Sequence, residues 1–341
     1  QPGRLRGGDS GTLCRVEGDH WLKAQPMLGV SVSREYVREQ VEEAKGMPTK
    51  QAIVRRLNFC EWTSARVVWI PTEKWDACAV AYPSGVLHKR PAFIGIDLSS
   101  KLDLTAVVVV CPEPLDDAPP LEVEVGGRAE DDGEARARTL RLNFRVDVIP
   151  YFFLPRDTLH ERVTQDRVPY DVWEREGWLR VTRGAIIDYD EIIDLIVNDL
   201  HKRFAIQAIG YDPSNATHLS TQLRSHFGDE RVLEVLQGFR SMSEPSKVWQ
   251  ALVVSRRLAH NGNKLLAWNV SNTSIETNRW QDIRPVKLAQ QTQRIDGVVA
   301  GIIGLGLALR QPVKKTSRYA TRGGFIIRAD GSYDAVTGER V

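Results

Sequence analysis

Several things are scarce or missing in this 341-residue chain, and each absence narrows what the chain can be. Net charge is nearly balanced, 46 Lys and Arg against 44 Asp and Glu, leaving +2. Charge of that size gives no whole-molecule attraction for a polyanion, so any such surface has to be local. Cysteine is rare: Cys14, Cys60, Cys78 and Cys111 are scattered, with no CxxC pair and no histidine at zinc-ligand spacing. That argues against a zinc site and for a reducing compartment, where buried thiols stay free. No GxxxxGK[ST] occurs, so the chain carries no Walker loop of its own to cradle a nucleotide phosphate. The longest apolar run, about 13 residues from Gly297 to Leu309, holds four glycines and is too short for a bilayer span. The N-terminus, QPGRLRGGDSG, lacks the apolar core of a signal peptide and reads as a start in mid-chain. What remains is an ordinary composition, 42% hydrophobic and 26% charged, long enough for one large domain or two modest ones. A soluble, cytoplasmic protein is expected.

The pattern divides the chain in three. Residues 1–90 are helical and Trp-rich: Ser33 reads as the N-cap of a helix with Val37, Val41 and Ala44 on one face, stopped by Gly46 and Pro48, and a second helix is expected over Thr49–Phe59. Trp62, Trp69 and Trp75 then follow within a few turns of chain. They are either a DNA-stacking surface or, more simply, the packing of a linker arm onto the next domain. Residues 91–310 form the main domain, and 311–341 a basic, then Gly-rich tail with little apolar periodicity, expected to be flexible.

Within the main domain, AFIGIDLSSKLDLTAVVVV reads as two buried strands around a polar turn, with Asp97 closing the first and Asp103 inside the turn. A polar insertion over Pro112–Arg138 is expected to be an exposed loop or ragged hairpin, and LRLNFRVDVIPYFF a third strand. Helical character is expected over Asp157–Trp178 and Tyr189–Phe204. IQAIGYDP is a strand ending at Asp212, because Pro213 cannot continue it. Further on, a helix is expected over Ala216–Phe227, a strand at VLEVLQ, a turn at GFRSMSEP, and a helix over Lys247–His260. LLAWNVSN reads as extended, and a closing helix spans Thr292–Arg310 with Asp296 in its first turn. Gly297, Gly301, Gly304 and Ala308 give that last helix a small-residue face; glycine costs about 1 kcal/mol per helical position, so a packing need is implied.

Three acids therefore sit at comparable places: Asp97 and Asp212 at strand ends, Asp296 at a helix start. In α/β sheets ligands collect at the strand ends. Each acid also has a plainer role: Asp97 could cap its turn, Asp212 could open one, and Asp296 is favoured by the helix dipole. If all three converge, their repulsion calls for a cation, and an oxygen-only set without His or Cys suits Mg²⁺ or Mn²⁺. Two such ions are the arrangement that cleaves phosphodiesters.

The stretches GIDLSSKLDLTAVV, FFLPRDTLHERVTQDRVPYDVWEREG, AIGYDPSNATHLSTQL, QGFRSMSEPSK and RIDGVVAGIIGLGLAL resemble the nuclease domain of HK97-type phage terminase large subunits, in order, over Trp21 to Arg310. The resemblance implies an RNase H-like α/β fold, a mixed sheet flanked by helices, and cleavage of concatemeric viral DNA during packaging. It places the metal ligands on Asp97, Asp212 and Asp296, with Asp103 in a supporting position. It also places Lys287 near the scissile phosphate. Arg240, Lys247 and Arg256 are expected to hold the DNA backbone. Partners implied are double-stranded DNA, a terminase ATPase domain, the portal and the small terminase subunit, in the host cytoplasm and without a membrane. The family's ATPase motifs are missing, so 1–90 resembles the segment joining ATPase to nuclease, and the chain reads as a fragment or as half of a split motor. Three rivals stand beside this: an actin-like ATPase or kinase, whose glycine-rich phosphate turns LSSKLD does not offer; another RNase H-like enzyme such as a transposase or resolvase; and a non-catalytic portal-docking module.

Overall fold

The computed structural model describes Trp21, residues 24–44, Val54, Asn58, Phe59, 68–82, 87–98, 104–115, 118–126, 138–214, 216–288 and 293–311, together with the backbone of 324–327 and 333–336. Early in the chain, helix α1 (Arg34–Ala44) starts where the Ser33 hydroxyl oxygen accepts from the Tyr36 N–H at 3.1 Å, the cap expected from sequence. The second expected helix, Thr49–Phe59, and Trp62 fall almost wholly outside the described residues. A short helix α2 (Thr72–Asp76) follows, and its segment is stitched to the main domain. Trp69 N–H donates to the Thr273 carbonyl at 2.8 Å and Val80 N–H to that of His260 at 2.8 Å. Trp69 and Trp75 are buried, and Trp75 stacks on His260 with ring centres 4.2 Å apart. For these two tryptophans the packing role is the one observed.

Strands β1 (Pro91–Asp97) and β2 (Thr105–Pro114) are buried nearly throughout, which is why their sequences run apolar rather than alternate. The polar insertion contributes β3 (Leu121–Val125), which pairs antiparallel with β4 (Arg138–Leu142) as a two-stranded side hairpin. The expected third strand is thus split at Asn143, and β5 (Phe144–Pro155) is its buried part. Two short helices, α3 (Leu159–Asp166) and α4 (Tyr170–Arg175), replace the single helical stretch; Arg167 takes φ 55° and Pro169 denies the continuation a donor. β6 (Arg180–Thr182) precedes helix α5, built of a turn Tyr189–Asp194, a π-helical segment Leu195–Leu200 and a last turn His201–Arg203. β7 (Ala205–Tyr211), α6 (Thr217–Phe227) and the short β8 (Val232–Glu234) complete one face.

Two expectations are corrected next. The helix expected from Lys247 begins at Phe239, so α7 (Phe239–Val254) absorbs the supposed turn GFRSMSEP. Pro245 lies inside it, buried, with its ring close to Gly306 of the closing helix. After β9 (Leu258–His260), LLAWNVSN is not extended but helix α8 (Lys264–Ser271), because Asn263 caps it, its side chain accepting from Leu266 N–H at 2.8 Å. β10 (Thr273–Thr277) and β11 (Ile283–Lys287) form a hairpin, and the closing helix α9 (Asp296–Arg310) starts at Asp296 rather than Thr292. In the tail, β12 (Gly324–Ile327) pairs with β13 (Tyr333–Val336), so that part is not wholly irregular.

The main sheet has seven strands in the order β6-β5-β2-β1-β7-β8, with β9 also pairing β5. β2 runs antiparallel to both of its neighbours, β1 and β5, while β7 pairs parallel with β1 and β8 parallel with β7. This is the mixed, helix-flanked RNase H-like sheet expected from sequence. Helices α5 and α6 cover one face and α7 and α9 the other, giving two apolar layers either side of the sheet. No described helix is long and apolar enough to cross a membrane.

α9 lies against β1 at backbone distance. A Cβ placed on Gly95 would stand 1.8 Å from the Ala300 carbonyl oxygen and 2.6 Å from Gly304 N. One on Gly304 would meet Val110 Cγ2 at 2.9 Å, and ones on Gly301 and Gly297 would meet the rings of Trp249 and Phe152 at 2.6 Å. The small-residue face is therefore a seat for the sheet and α7, and it fixes where the first residue of α9 can be.

Candidate metal centre

Across the parallel β1–β7 ladder Ile96 pairs with Tyr211. The next residues, Asp97 and Asp212, thus leave the sheet side by side at its carboxyl edge. Gly95 touches Ala300 and, further back along β1, Phe93 O lies 3.4 Å from the Gly304 position, so α9 runs antiparallel to β1. Its N-terminus, bearing Asp296, consequently lies over the end of β1 that bears Asp97.

The charges register this meeting. Asp97 is only 9% exposed, and burial pushes its carboxyl well above the usual carboxylate range. The Asp296 charge raises it further, a hydrogen bond from Gln237 lowers it, Asp212 raises it, and the Lys287 ammonium lowers it. Three of the four sequence-expected core residues of the site thus act on the fourth. Gln237 Nε2 donates to Asp97 Oδ1 at 2.8 Å. Asp212 Oδ1 accepts from Ser214 N–H at 2.9 Å, so the turn-opening role is real and coexists with its place beside Asp97. The turn that Asp97 could cap, with the Ser99 and Ser100 N–H groups as its donors, lies outside the described residues, as does Asp103. Among the described residues, no three His, Cys, Asp or Glu side chains stand in ready-made ion-ligating geometry. The donor chemistry nevertheless suits a hard divalent cation: the convergent groups are carboxylates, and a cation would relieve the repulsion that raises Asp97.

Around the acids stands a supporting layer that sequence reasoning did not single out. Asn269, fully buried on α8, accepts from Gly297 N–H at 2.8 Å through Oδ1, capping the first turn of α9 just after Asp296. Asn272 accepts from Leu288 N–H at 2.7 Å and donates from Nδ2 to the Arg294 carbonyl at 3.2 Å, tying the chain beyond Lys287 to the chain before Asp296. Arg294 faces Asp166 at 3.7 Å, with side chains 5% and 2% exposed, and Tyr170 OH donates to Asp166 Oδ2 at 3.0 Å. Burial, then the Asp166 charge, raises the Tyr170 hydroxyl far above the usual phenol range, and Asp296 adds to it. This buried pair therefore borders the site. Gln237 had a usable signal: it lies three residues beyond the end of β8, a strand that runs parallel to β7 toward the same sheet edge. Asp166 and Arg294, far apart in sequence, had none.

The expected DNA-backbone cations are spread out. Lys287 ends β11 and bears on Asp97. Arg240 is exposed in the first turn of α7, close in sequence to Gln237, and Lys247 is half-buried two turns on. Arg256 lies past the far end of α7, where its charge bears on Cys78 rather than on the acids.

Comparison with known proteins follows the same lines. The family model "Terminase large subunit, endonuclease domain" matches residues 15–118 and 129–311. The terminase large subunit of Enterobacteria phage HK97 is 29% identical over 290 residues, covering 85% of this chain and 51% of that protein. Protein YmfN of Escherichia coli K12 is 28% identical over 308 residues, covering 86% of this chain and 61% of that one. The crystal structure of the HK97 large terminase superposes with a TM-score of 0.55 at 28% identity, covering 85% of this chain and 53% of that one. The chain thus spans about half to three-fifths of the length of these relatives.

Proposed function

Because the chain belongs to the terminase large subunit endonuclease-domain family, we propose that it is a metal-dependent endonuclease that cuts concatemeric viral double-stranded DNA during genome packaging. The observation that carries this reading is the meeting of Asp97, Asp212, Asp296 and Lys287 at one sheet edge. Residues 91–310 are the nuclease unit, 1–90 the segment that joins it to an ATPase, and 311–341 a tail. The ATPase domain, portal and small terminase subunit are the partners, in the host cytoplasm.

Asp97, Asp212 and Asp296 would hold Mg²⁺ or Mn²⁺, with Asp103 nearby. Two such ions supply Lewis acidity toward the phosphate and lower the pKa of water. The chain's own residues do the rest. Gln237 fixes the rotamer of Asp97 by its hydrogen bond. Asn269 and the Arg294–Asp166 pair fix the start of α9, and with it Asp296. Lys287 offers a positive charge to the phosphate under attack. Arg240 and Lys247 hold neighbouring phosphates without reading sequence, with Arg256 past the far end of α7, a helix about 24 Å long. The reaction is hydrolysis: water oxygen bonds to phosphorus, one ester P–O bond breaks, and the departing oxygen takes a proton.

The test is nicking of supercoiled plasmid in Mg²⁺ or Mn²⁺ by the native chain and by Asp97→Ala, Asp212→Ala and Asp296→Ala. Loss in each variant, with folding retained, supports the assignment; full activity in all three would sink it. ATP binding by the isolated chain would favour the actin-like alternative instead.

A further inference from the structure

The β10–β11 hairpin ends in a feature the proposed chemistry does not use. At its tip Trp280 is 57% exposed, and the Arg279 guanidinium lies over its ring at 4.0 Å. Trp280 thus offers a large aromatic surface to solvent beside a cation, the combination that suits a stacked, charged partner.

The tip is built rather than loose. Asn278 Oδ1 accepts from both Trp280 N–H and Asp282 N–H at 2.9 Å, and its Nδ2 donates to Asp282 Oδ2 at 3.2 Å. Gln281 takes the left-handed conformation, φ 63°, that closes the turn. Ser243 on α7 anchors the base of the tip: its hydroxyl donates to Asp282 Oδ1 at 3.2 Å and accepts from Ile283 N–H at 3.1 Å. Among the described residues Arg279 makes no ion pair, whereas Arg284 on the same hairpin is held by Glu276 at 2.7 Å. So the tip presents a π face and a cation together, outward, on a rigid support.

We propose that the Arg279–Trp280 tip is a second DNA contact, in which Trp280 stacks against or wedges between base steps while Arg279 meets the adjacent phosphate. The proposal rests on the nuclease reading. The ligand class follows from chemistry and placement. Stacked rings inside a polyanion are what an aromatic paired with a cation suits. The hairpin's other end, Lys287, already sits where the phosphate would be. Reach is set by the strand: the seven residues from Lys287 to Trp280 span at most about 24 Å at the rise of an extended chain. At 3.4 Å per base pair that corresponds to no more than roughly seven base pairs from the cut.

The experiment uses the full chain and a 30-base-pair duplex with Ca²⁺ in place of Mg²⁺, read by fluorescence anisotropy. A parallel set of duplexes carries 2-aminopurine at successive positions up to ten base pairs from the cut mapped in Mg²⁺. Trp280→Ala is expected to weaken binding about tenfold or more, as loss of one stacking contact does. Trp280→Phe is expected to restore most of it. Unstacking of 2-aminopurine is expected within about seven base pairs of the cut and only with an aromatic at position 280. Because Trp280 is exposed, the melting temperature of each variant should match the native chain, which separates contact from folding. Unchanged affinity of Trp280→Ala, on a native chain that binds and nicks DNA, overturns the inference and assigns the tip to a protein partner. A native chain that neither binds nor nicks DNA overturns the nuclease reading itself, and this inference with it.

Discussion

Replacing Gly95 by alanine should be among the most damaging single-methyl changes in this chain. The new Cβ would stand 1.8 Å from the Ala300 carbonyl oxygen, 2.6 Å from Gly304 N and 2.9 Å from the Ala300 carbonyl carbon. Ordinary contact begins near 3.4 Å, so α9 has to retreat by about 1.6 Å. All three obstacles are backbone, so no rotamer change relieves the clash. Overpacking of this kind costs about 1–3 kcal/mol or more. At the upper figure, a domain of this size should lose roughly 6–12 °C in melting temperature. The functional effect should exceed the stability effect, because α9 carries Asp296, and an error near 1 Å in a reacting group costs on the order of 100-fold in rate. Gly306→Ala is the matched control on the same helix: its Cβ would meet Pro245 Cγ at 3.4 Å, an ordinary contact. That variant should be neutral or slightly more stable, since alanine is the better helix former. Circular-dichroism melting and plasmid nicking at 25 °C read both quantities. A Gly95→Ala protein that melts within 1 °C of native and nicks within twofold would refute the claim that α9 is seated through this contact.

The buried Arg294–Asp166 pair makes a second case: Asp166→Leu or Arg294→Met alone should cost about 3–5 kcal/mol, because each strands a buried charge. The double variant should be less damaged than either, which urea unfolding can measure. His260 gives a pH dependence. Burial holds it below its ordinary value of 6.5, and Gly262 N–H donates to its Nδ1, so only the neutral ring fits. The unfolded chain therefore takes up the proton first as pH falls. Stability from this group is fully present above about 6.5 and declines below it, and His260→Gln should flatten that part of the melting-temperature profile. Burial pushes the Cys111 thiol up to about 12, so iodoacetamide at pH 8 should leave it unlabelled in the native chain and label it in denaturant, as peptide mapping by mass spectrometry would show.

Much of the fold was legible because its strongest signals are local. Apolar runs that stop at an acid marked β1 and β7, and the sheet's parallel register then brings Asp97 and Asp212 together without further instruction. Gly297, Gly301 and Gly304 announced a close approach, although the tightest contact, Gly95 on the first strand against Ala300 O and Gly304 N, is not one that spacing along α9 reveals. The start of α7 was hidden by Ser243 and Pro245, residues that ordinarily mark a turn. Here Ser243 is buried against the hairpin and Pro245 against α9, so tertiary packing overrides propensity. α8 was hidden by an extended-looking pattern, and its cap at Asn263 was the signal passed over. The supporting groups of the site were the least legible. Gln237, Asn269, Asp166 and Arg294 act through contacts between distant parts of the chain, which spacing along one segment does not encode.

Manganese binding tests the central claim most directly. Titration of the full chain with Mn²⁺, followed by the loss of free-ion electron paramagnetic resonance signal, should show saturable binding at neutral pH. Each of Asp97→Asn, Asp212→Asn and Asp296→Asn should weaken it at least tenfold while the melting temperature without metal holds or rises, because each removes one of three repelling charges. Native affinity in all three variants would contradict a shared metal centre at this sheet edge.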